Sequence, residues 1–279
     1  MRLVTFRDRD DDVGVAELAD GALRRLAASS MIEWLAGLGR EPTGKEIALD
    51  EVTPLAPVPE PPSVRDFYAF ERHVAAGWRR RGGEIPAYWY EAPAFYFSNP
   101  AAIRGPGQPV TVPPGTRQLD FELELAAVVD GRGEIAGFTL MNDWSARDVQ
   151  AREVTVGLGP HKAKDFAISL GPWLVTPDEL PYEEGRLLLT ATVSVNGREL
   201  SACNAAEQHF PWPDLLAHAA AGTRLRPGDV LGSGTLARGC LLELGPQELS
   251  SGGGERWIER GDVVVLAAEG LGALETPVT

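Results

Sequence analysis

The stretch QLDFELELAAVVD, residues 118–130, decides how the chain is read. Phe121, Leu123 and Leu125 alternate with Asp120, Glu122 and Glu124, a period of two that predicts a half-buried strand. The polar face then carries three carboxylates within five residues. Glu122 and Glu124 project from the same face with Cα atoms about 7 Å apart, at a rise of about 3.3 Å per residue. Two long carboxylates at that separation can converge on one cation. The plainer alternative is the solvated face of a half-exposed sheet.

The chain has 279 residues, 44% hydrophobic and 24% charged, a globular composition that allows one large domain or two unequal ones. A formal net charge of -14 argues against nucleic acid and anionic membrane as partners. The short run WRRRG at 78–82 does not reverse this field, and Arg79 to Arg81 read as a solvated helix end. Cys203 and Cys240 lack metal-ligand spacing and read as reduced, buried thiols, with a single disulfide as the alternative. The opening MRLVTFRDRDDD lacks the apolar core of a signal peptide, and no apolar run is long enough to span a bilayer. A soluble, cytoplasmic protein is expected.

RLVTF near the start reads as a strand, and apolar spacing from Val15 to Leu38, broken at Ser29 and Ser30, predicts one or two helices. The proline-dense VTPLAPVPEPPSVRD, residues 52–66, cannot be a helix interior and marks a boundary. A small N-terminal domain, residues 1–60, is therefore expected before a larger one, residues 61–279. Beyond the boundary the chain is mostly β, with hairpin signals at Asp130-Gly131 and Asn196-Gly197. Helices are predicted over 67–80, 143–153 and 214–221. The fold class is α+β, dominated by mixed or antiparallel sheet; 31 glycines and 22 prolines fit a loop-rich sheet protein.

Three further stretches carry candidate chemistry. In LMNDWSARDVQAREV, residues 140–154, a helix beginning at Asn142 or Asp143 would put Asp143, Arg147 and Gln150 on one face. Such a row could hold a cation at one end and an oxyanion at the other; the alternative is an N-cap aspartate with an exposed ion pair. In VRDFYAFERHVAAGW, residues 64–78, Phe67, Phe70, Val74 and Trp78 form an apolar stripe. His73 follows Asp66 by seven residues, nearly two helical turns. A lone histidine beside such a stripe is by itself a structural residue. HKAKDF, carrying Lys164, reads alone as an exposed basic turn, and Glu243 between leucines as an outward-facing strand residue.

Taken together, DFYAFERH, DFELEL, MNDWSARDVQ, GPHKAKDFAISLGPW, RPGDVLGSGT and LLELG resemble, in order and approximate spacing, the fumarylacetoacetate hydrolase family. The likeness runs from about Asp66 to the C-terminus. It implies a β-rich mixed-sheet roll with a small N-terminal α/β domain. It further implies that Asp66, Glu122, Glu124 and Asp143 are carboxylate ligands of a divalent cation, Mg²⁺ or Ca²⁺, with Mn²⁺ also suited to all-oxygen ligation. By the same resemblance His73 is the general base and Glu243 the carboxylate that orients it. Arg147, Gln150 and Lys164 hold substrate and stabilise negative charge, while Tyr68, Tyr96 and Thr235 contact substrate. PAFYFSNP, residues 93–100, departs from the family's eukaryotic pattern. Asp120 is assigned outside the ligand set, as a solvated or supporting residue.

The implied reaction is hydrolysis of a C–C bond in a β-diketo acid of the acylpyruvate or fumarylacetoacetate kind, through His73-activated water and a metal-bound enolate. An isomerase or decarboxylase of 2-hydroxy-diene-dioates or 2-oxo acids is the alternative. A non-catalytic cation-binding module is a third reading. The partner expected is a small keto acid, and the resemblance implies a homodimer.

Overall fold

The computed structural model of the protein describes residues 1–250 and 252–279. The N-terminal segment contains β1 (Arg2–Arg7), β2 (Val13–Ala19), β3 (Ala22–Leu26), α1 (Met31–Leu35) and β4 (Pro42–Ala48). The helix expected over 15–38 is therefore mostly a β-hairpin. Asp20 and Gly21 both take positive φ, 52° and 80°, the geometry of a tight two-residue hairpin turn. This Asp-Gly signal outweighs the helical spacing around it. Only Met31–Leu35 is helical, and Ser30 caps it by accepting from the Glu33 amide. β1 pairs antiparallel with a central strand, Leu3 opposite Leu174, so one sheet runs across the expected division near residue 60.

Along the rest of the chain follow β5 (Val64–Phe67), α2 (Glu71–Arg80), β6 (Phe95–Ser98), β7 (Leu123–Val129), β8 (Ile135–Asp143) and α3 (Arg147–Glu153). Then come β9 (Ile168–Val175), β10 (Thr190–Val195), β11 (Arg198–Asn204), α4 (Trp212–Ala220), β12 (Val230–Gly232), α5 (Leu241–Leu244), β13 (Val263–Ala268) and β14 (Gly272–Pro277). The large sheet has the order β4-β3-β2-β1-β9-β8-β7-β12-β5-β6, and a smaller one the order β11-β10-β13-β14. The fold is α+β and sheet-dominated.

β7 is buried on both faces, not half-exposed. Leu123, Leu125, Ala127 and Val129 pack into a core shared with Val193 and Leu266 of the smaller sheet. Ala126 and Val128 pack on the opposite face with Leu3, Leu26, Met31 and Trp34. The N-terminal segment thus covers part of the second face, and the carboxylates stand at its far end, buried.

Two expected helices begin later than predicted. Asp143 is the last residue of β8, and α3 starts at Arg147, so Asp143, Arg147 and Gln150 do not form one helical row. Likewise Asp66 lies in β5 and His73 in α2. The predicted helix over 214–221 is α4. Asn196-Gly197 turns the β10–β11 hairpin with φ of 52° and 79°.

Candidate active site

Strand parity assembles the site. Asp66 shares its strand face with Val64, Glu124 with Ala126, and Asp143 with Met141; all three apolar partners belong to the core under the N-terminal segment. The strands lie in the order β8-β7-β12-β5-β6, and the register sets Asp66 beside both Gly232 and Tyr96. Gly232 makes the cluster possible: a Cβ there would stand 2.5 Å from Asp66 Oδ1 and 2.8 Å from Met141 Cε. Oxygens of Asp66, Glu124 and Asp143 consequently lie within 4.8 Å of one another.

These three side chains are buried, and Asp66 Oδ1, Glu124 Oε2 and Asp143 Oδ1 have no hydrogen-bond partner among the described residues. Thr235 Oγ1 donates to Glu124 Oε1 at 3.3 Å, and Tyr96 Oη to Asp143 Oδ2 at 2.5 Å. Burial, then the neighbouring carboxylates, push the carboxyls of Asp66 and Glu124 well above their ordinary range. Burial also raises Asp143, against the opposing pull of Lys164. Three orphaned, mutually repelling oxygens fit a hard divalent cation with oxygen ligands.

Glu122 lies outside that trio and is held by cations. Arg147 Nη2 donates to its Oε1 at 2.7 Å and Lys164 Nζ to its Oε2. Burial alone would raise its carboxyl, but Arg147 and Lys164 outweigh burial and hold it well below the usual range. Lys164, far from an exposed turn, is buried and also reaches Asp143 Oδ2 at 2.5 Å. Its ammonium stays charged because Asp143 and Glu122 outweigh the cost of burial. Arg147 Nη1 donates to Gln150 Oε1 at 3.0 Å, which leaves the Gln150 amide NH₂ as a donor.

His73 Nδ1 meets Glu243 Oε1 at 2.6 Å. Glu243 sits in α5, not on a strand. A carboxylate only accepts, so Nδ1 carries a proton, and in the neutral imidazole the lone pair is then on Nε2. Tyr68 packs edge-on to the imidazole, centroids 5.5 Å apart at 86°. Burial pushes its phenol up to about 12. In α2, Gly77 makes room for it, since a Cβ would stand 2.9 Å from the Tyr68 hydroxyl. Cys240 Sγ lies 3.9 Å from His73 Nδ1 and 3.8 Å from Glu243 Oε1. Burial, reinforced by Asp120, pushes this thiol well above its ordinary value. His73 and Glu243 form a hydrogen-bonded pair beside this thiol.

His73, Asp66, Glu122 and Glu124 line one cavity of about 490 Å³, together with Tyr68, Tyr96, Arg147, Gln150, Lys164 and Thr235. That volume suits a small organic acid. Arg80 and Arg81, exposed as a helix end should be, also line it, a role their sequence context did not signal. Asp120 is fully buried and bonded to Arg147, not solvated. Cys203 and Cys240 are both free. Among the described residues no helix is long and apolar enough to cross a membrane.

The family model described as "Fumarylacetoacetate (FAA) hydrolase C-terminal" matches residues 63–279. The chain belongs to the fumarylacetoacetate hydrolase family. Among members of this family, fumarylacetoacetase of Oryza sativa subsp. japonica is 31% identical over 269 residues, covering 73% of this chain and 62% of that protein. The chain thus spans less than two thirds of that relative's length. A crystal structure of 5-carboxymethyl-2-hydroxymuconate delta-isomerase from Mycobacterium smegmatis shares 26% identity and a TM-score of 0.74, covering 100% of this chain and 99% of that one. A 2-keto-3-deoxy-D-arabinonate dehydratase complexed with magnesium and 2,5-dioxopentanoate has a TM-score of 0.75 at 22% identity, covering 100% and 99% of the two chains. That last likeness is one of fold. Enzymes of the fumarylacetoacetate hydrolase family generally use a divalent metal.

The raised carboxyls make a pH prediction for metal-free protein. Their ordinary values are 3.8 and 4.5; above these the folded state binds more protons than the unfolded one, so stability falls as pH rises through the raised values. Carboxyls held low, such as Asp130 and Asp148, titrate beneath this window. Urea melts of chelator-stripped protein should therefore give a lower midpoint at pH 8 than at pH 5.5, and Mg²⁺ or Mn²⁺ should reverse the loss. A stripped protein equally stable at both values would remove the repulsive cluster from the account.

Proposed function

We propose that this protein is a divalent-cation-dependent hydrolase that cleaves a C–C bond in a β-diketo acid related to fumarylacetoacetate. The observation that carries this reading is that His73, bonded to Glu243, lines the same cavity as Asp66 and Glu124 of the three converging carboxylates. The fumarylacetoacetases among the relatives, at about 30% identity, support it.

Asp66, Glu124 and Asp143 would hold the ion, with Glu122, which shares Lys164 with Asp143, as the fourth carboxylate of the set. When bound, it supplies Lewis-acid polarisation of substrate carbonyl oxygens. His73 Nε2 takes a proton from water while Glu243 keeps Nδ1–H fixed and stabilises the imidazolium that forms. The water oxygen bonds to a carbonyl carbon, and the developing oxyanion meets donors from Gln150 or Lys164. The C–C bond then breaks, its electron pair stays on the departing carbon, and the proton held by His73 is available to that fragment. Arg147, a planar fork whose orientation Glu122 fixes, suits the substrate carboxylate.

A second reading, isomerisation of a hydroxy-diene-dioate, is favoured by the structural likeness to the Mycobacterium smegmatis isomerase. Proton NMR of products separates the two: acylpyruvate substrates should yield two carboxylic-acid fragments. Turnover of dienedioates without fragmentation, with acylpyruvates inert, would overturn the hydrolase reading. A non-catalytic module is tested by thermal shift with oxalate, an enolate mimic. Oxalate should stabilise only in the presence of Mg²⁺ or Mn²⁺.

A further inference from the structure

Asp120 stands two residues before Glu122 and takes no part in the cation cluster. It is fully buried, and three donors bond to its carboxyl group. The Leu241 amide donates to Oδ1 at 2.7 Å, the Leu242 amide to Oδ2 at 2.9 Å, and Arg147 Nε to Oδ2 at 2.7 Å. Burial raises this carboxyl from its ordinary value against the opposing pull of Arg147 and the Leu241 amide, and three donors converge on it as the acceptor. A short ladder puts it there: Asp120 pairs with Ser145 and Leu119 with Ala146, and the Arg147 amide donates to Gln118 O at 2.9 Å.

The donors belong to two different parts of the site. Leu241 and Leu242 immediately precede Glu243, in a four-residue helix whose capping position, Cys240, gives it no side-chain hydrogen bond. Arg147 is the guanidinium that holds Glu122 and Gln150. We propose that Asp120 is a positioning residue that fixes the His73–Glu243 pair in register with the Arg147 clamp, so that one side chain sets both the base and the charged seat opposite it. The inference rests on the hydrolytic reading above for its catalytic consequence, but its geometry is independent of the substrate.

Asp120→Asn keeps the volume and one acceptor, but its NH₂ must face a backbone amide or the Arg147 Nε–H, donor against donor. The expected result is a fall in kcat of about 10- to 100-fold, the usual worth of an orienting partner. Combined with Glu243→Gln, the losses should be less than multiplicative, because Asp120 acts through Glu243. A readout without turnover is the downfield proton resonance of His73 Nδ1–H, identified by its disappearance in His73→Gln. In Asp120→Asn it should move upfield or broaden while the cation-induced thermal shift persists. Asp120→Ser, which keeps an acceptor but not the two-oxygen fork, serves if the asparagine variant does not fold. An unchanged resonance together with fully multiplicative losses would overturn the proposal. If no β-diketo acid is turned over by the unaltered protein but the resonance responds as described, the hydrolytic reading fails and the positioning role stands.

Discussion

Glu124→Gln should abolish cation-dependent turnover and, at the same time, make the metal-free protein more stable at pH 8. The two effects have one cause. Glu124 is fully buried, its Oε2 has no hydrogen-bond partner among the described residues, and the carboxylates of Asp66, Glu122 and Asp143 all press on it. Without a cation that arrangement is repulsive, so a neutral isostere relieves it; Thr235 Oγ1 can still donate to the remaining carbonyl oxygen. With a cation the same oxygens are an attraction, and the variant forfeits it. At a cation concentration a hundred times Kd, binding should stabilise the unaltered protein by about 2.7 kcal/mol and the variant by nearly nothing. Lewis-acid stabilisation is worth several kcal/mol, so kcat should drop by roughly 10³-fold or more. Thermal melts with and without Mg²⁺ or Mn²⁺ check both signs. A variant that keeps the cation-induced shift would remove Glu124 from the ligand set.

The contrast between Glu122 and Glu124 marks where reading the sequence stops. Their common face follows from a period of two and needs no structure. Their different fates depend on residues 19 to 58 positions away: Lys164 and Arg147 reach Glu122, while Asp66 and Asp143 close around Glu124. The hairpin at Asn196-Gly197 was legible because its signal is local and backbone-driven. The one at Asp20-Gly21 carried the same signal but was masked by apolar residues at helical spacing. Asp143 looked like a helix start because a polar residue before an amphipathic stretch usually caps it. Pairing of Asp143 with Ile168 on β9, a long-range contact, keeps it in the sheet instead. Gly232 could not have been singled out among 31 glycines; its importance exists only once Asp66 lies over it. Asp120 alternates in step with Glu122 and Glu124, yet its partners, Arg147, Leu241 and Leu242, come from a separate ladder and from the far end of the chain.

His73→Ala should lower kcat by about 10²- to 10⁴-fold, the range a positioned general base contributes, and leave cation binding intact. His73 is in α2 and contacts Glu243 and Tyr68, whereas the carboxylate trio is built on β5, β7 and β8. The two halves of the site can therefore be broken separately. Glu243→Gln should cost less than His73→Ala, because the glutamine carbonyl can still accept the Nδ1–H and hold the ring, but no longer stabilises the imidazolium by charge. Equal losses for the two variants would mean that Glu243 does more than orient. The alanine variant also leaves the Glu243 carboxylate half-bonded beside the Cys240 thiol, so a modest loss of stability is expected alongside the catalytic one. The catalytic loss must therefore be read from protein that retains its cation-induced thermal shift. Near-normal rates in such protein would transfer the proton-abstracting role away from this imidazole and, with it, withdraw the case for water activation at this end of the cavity.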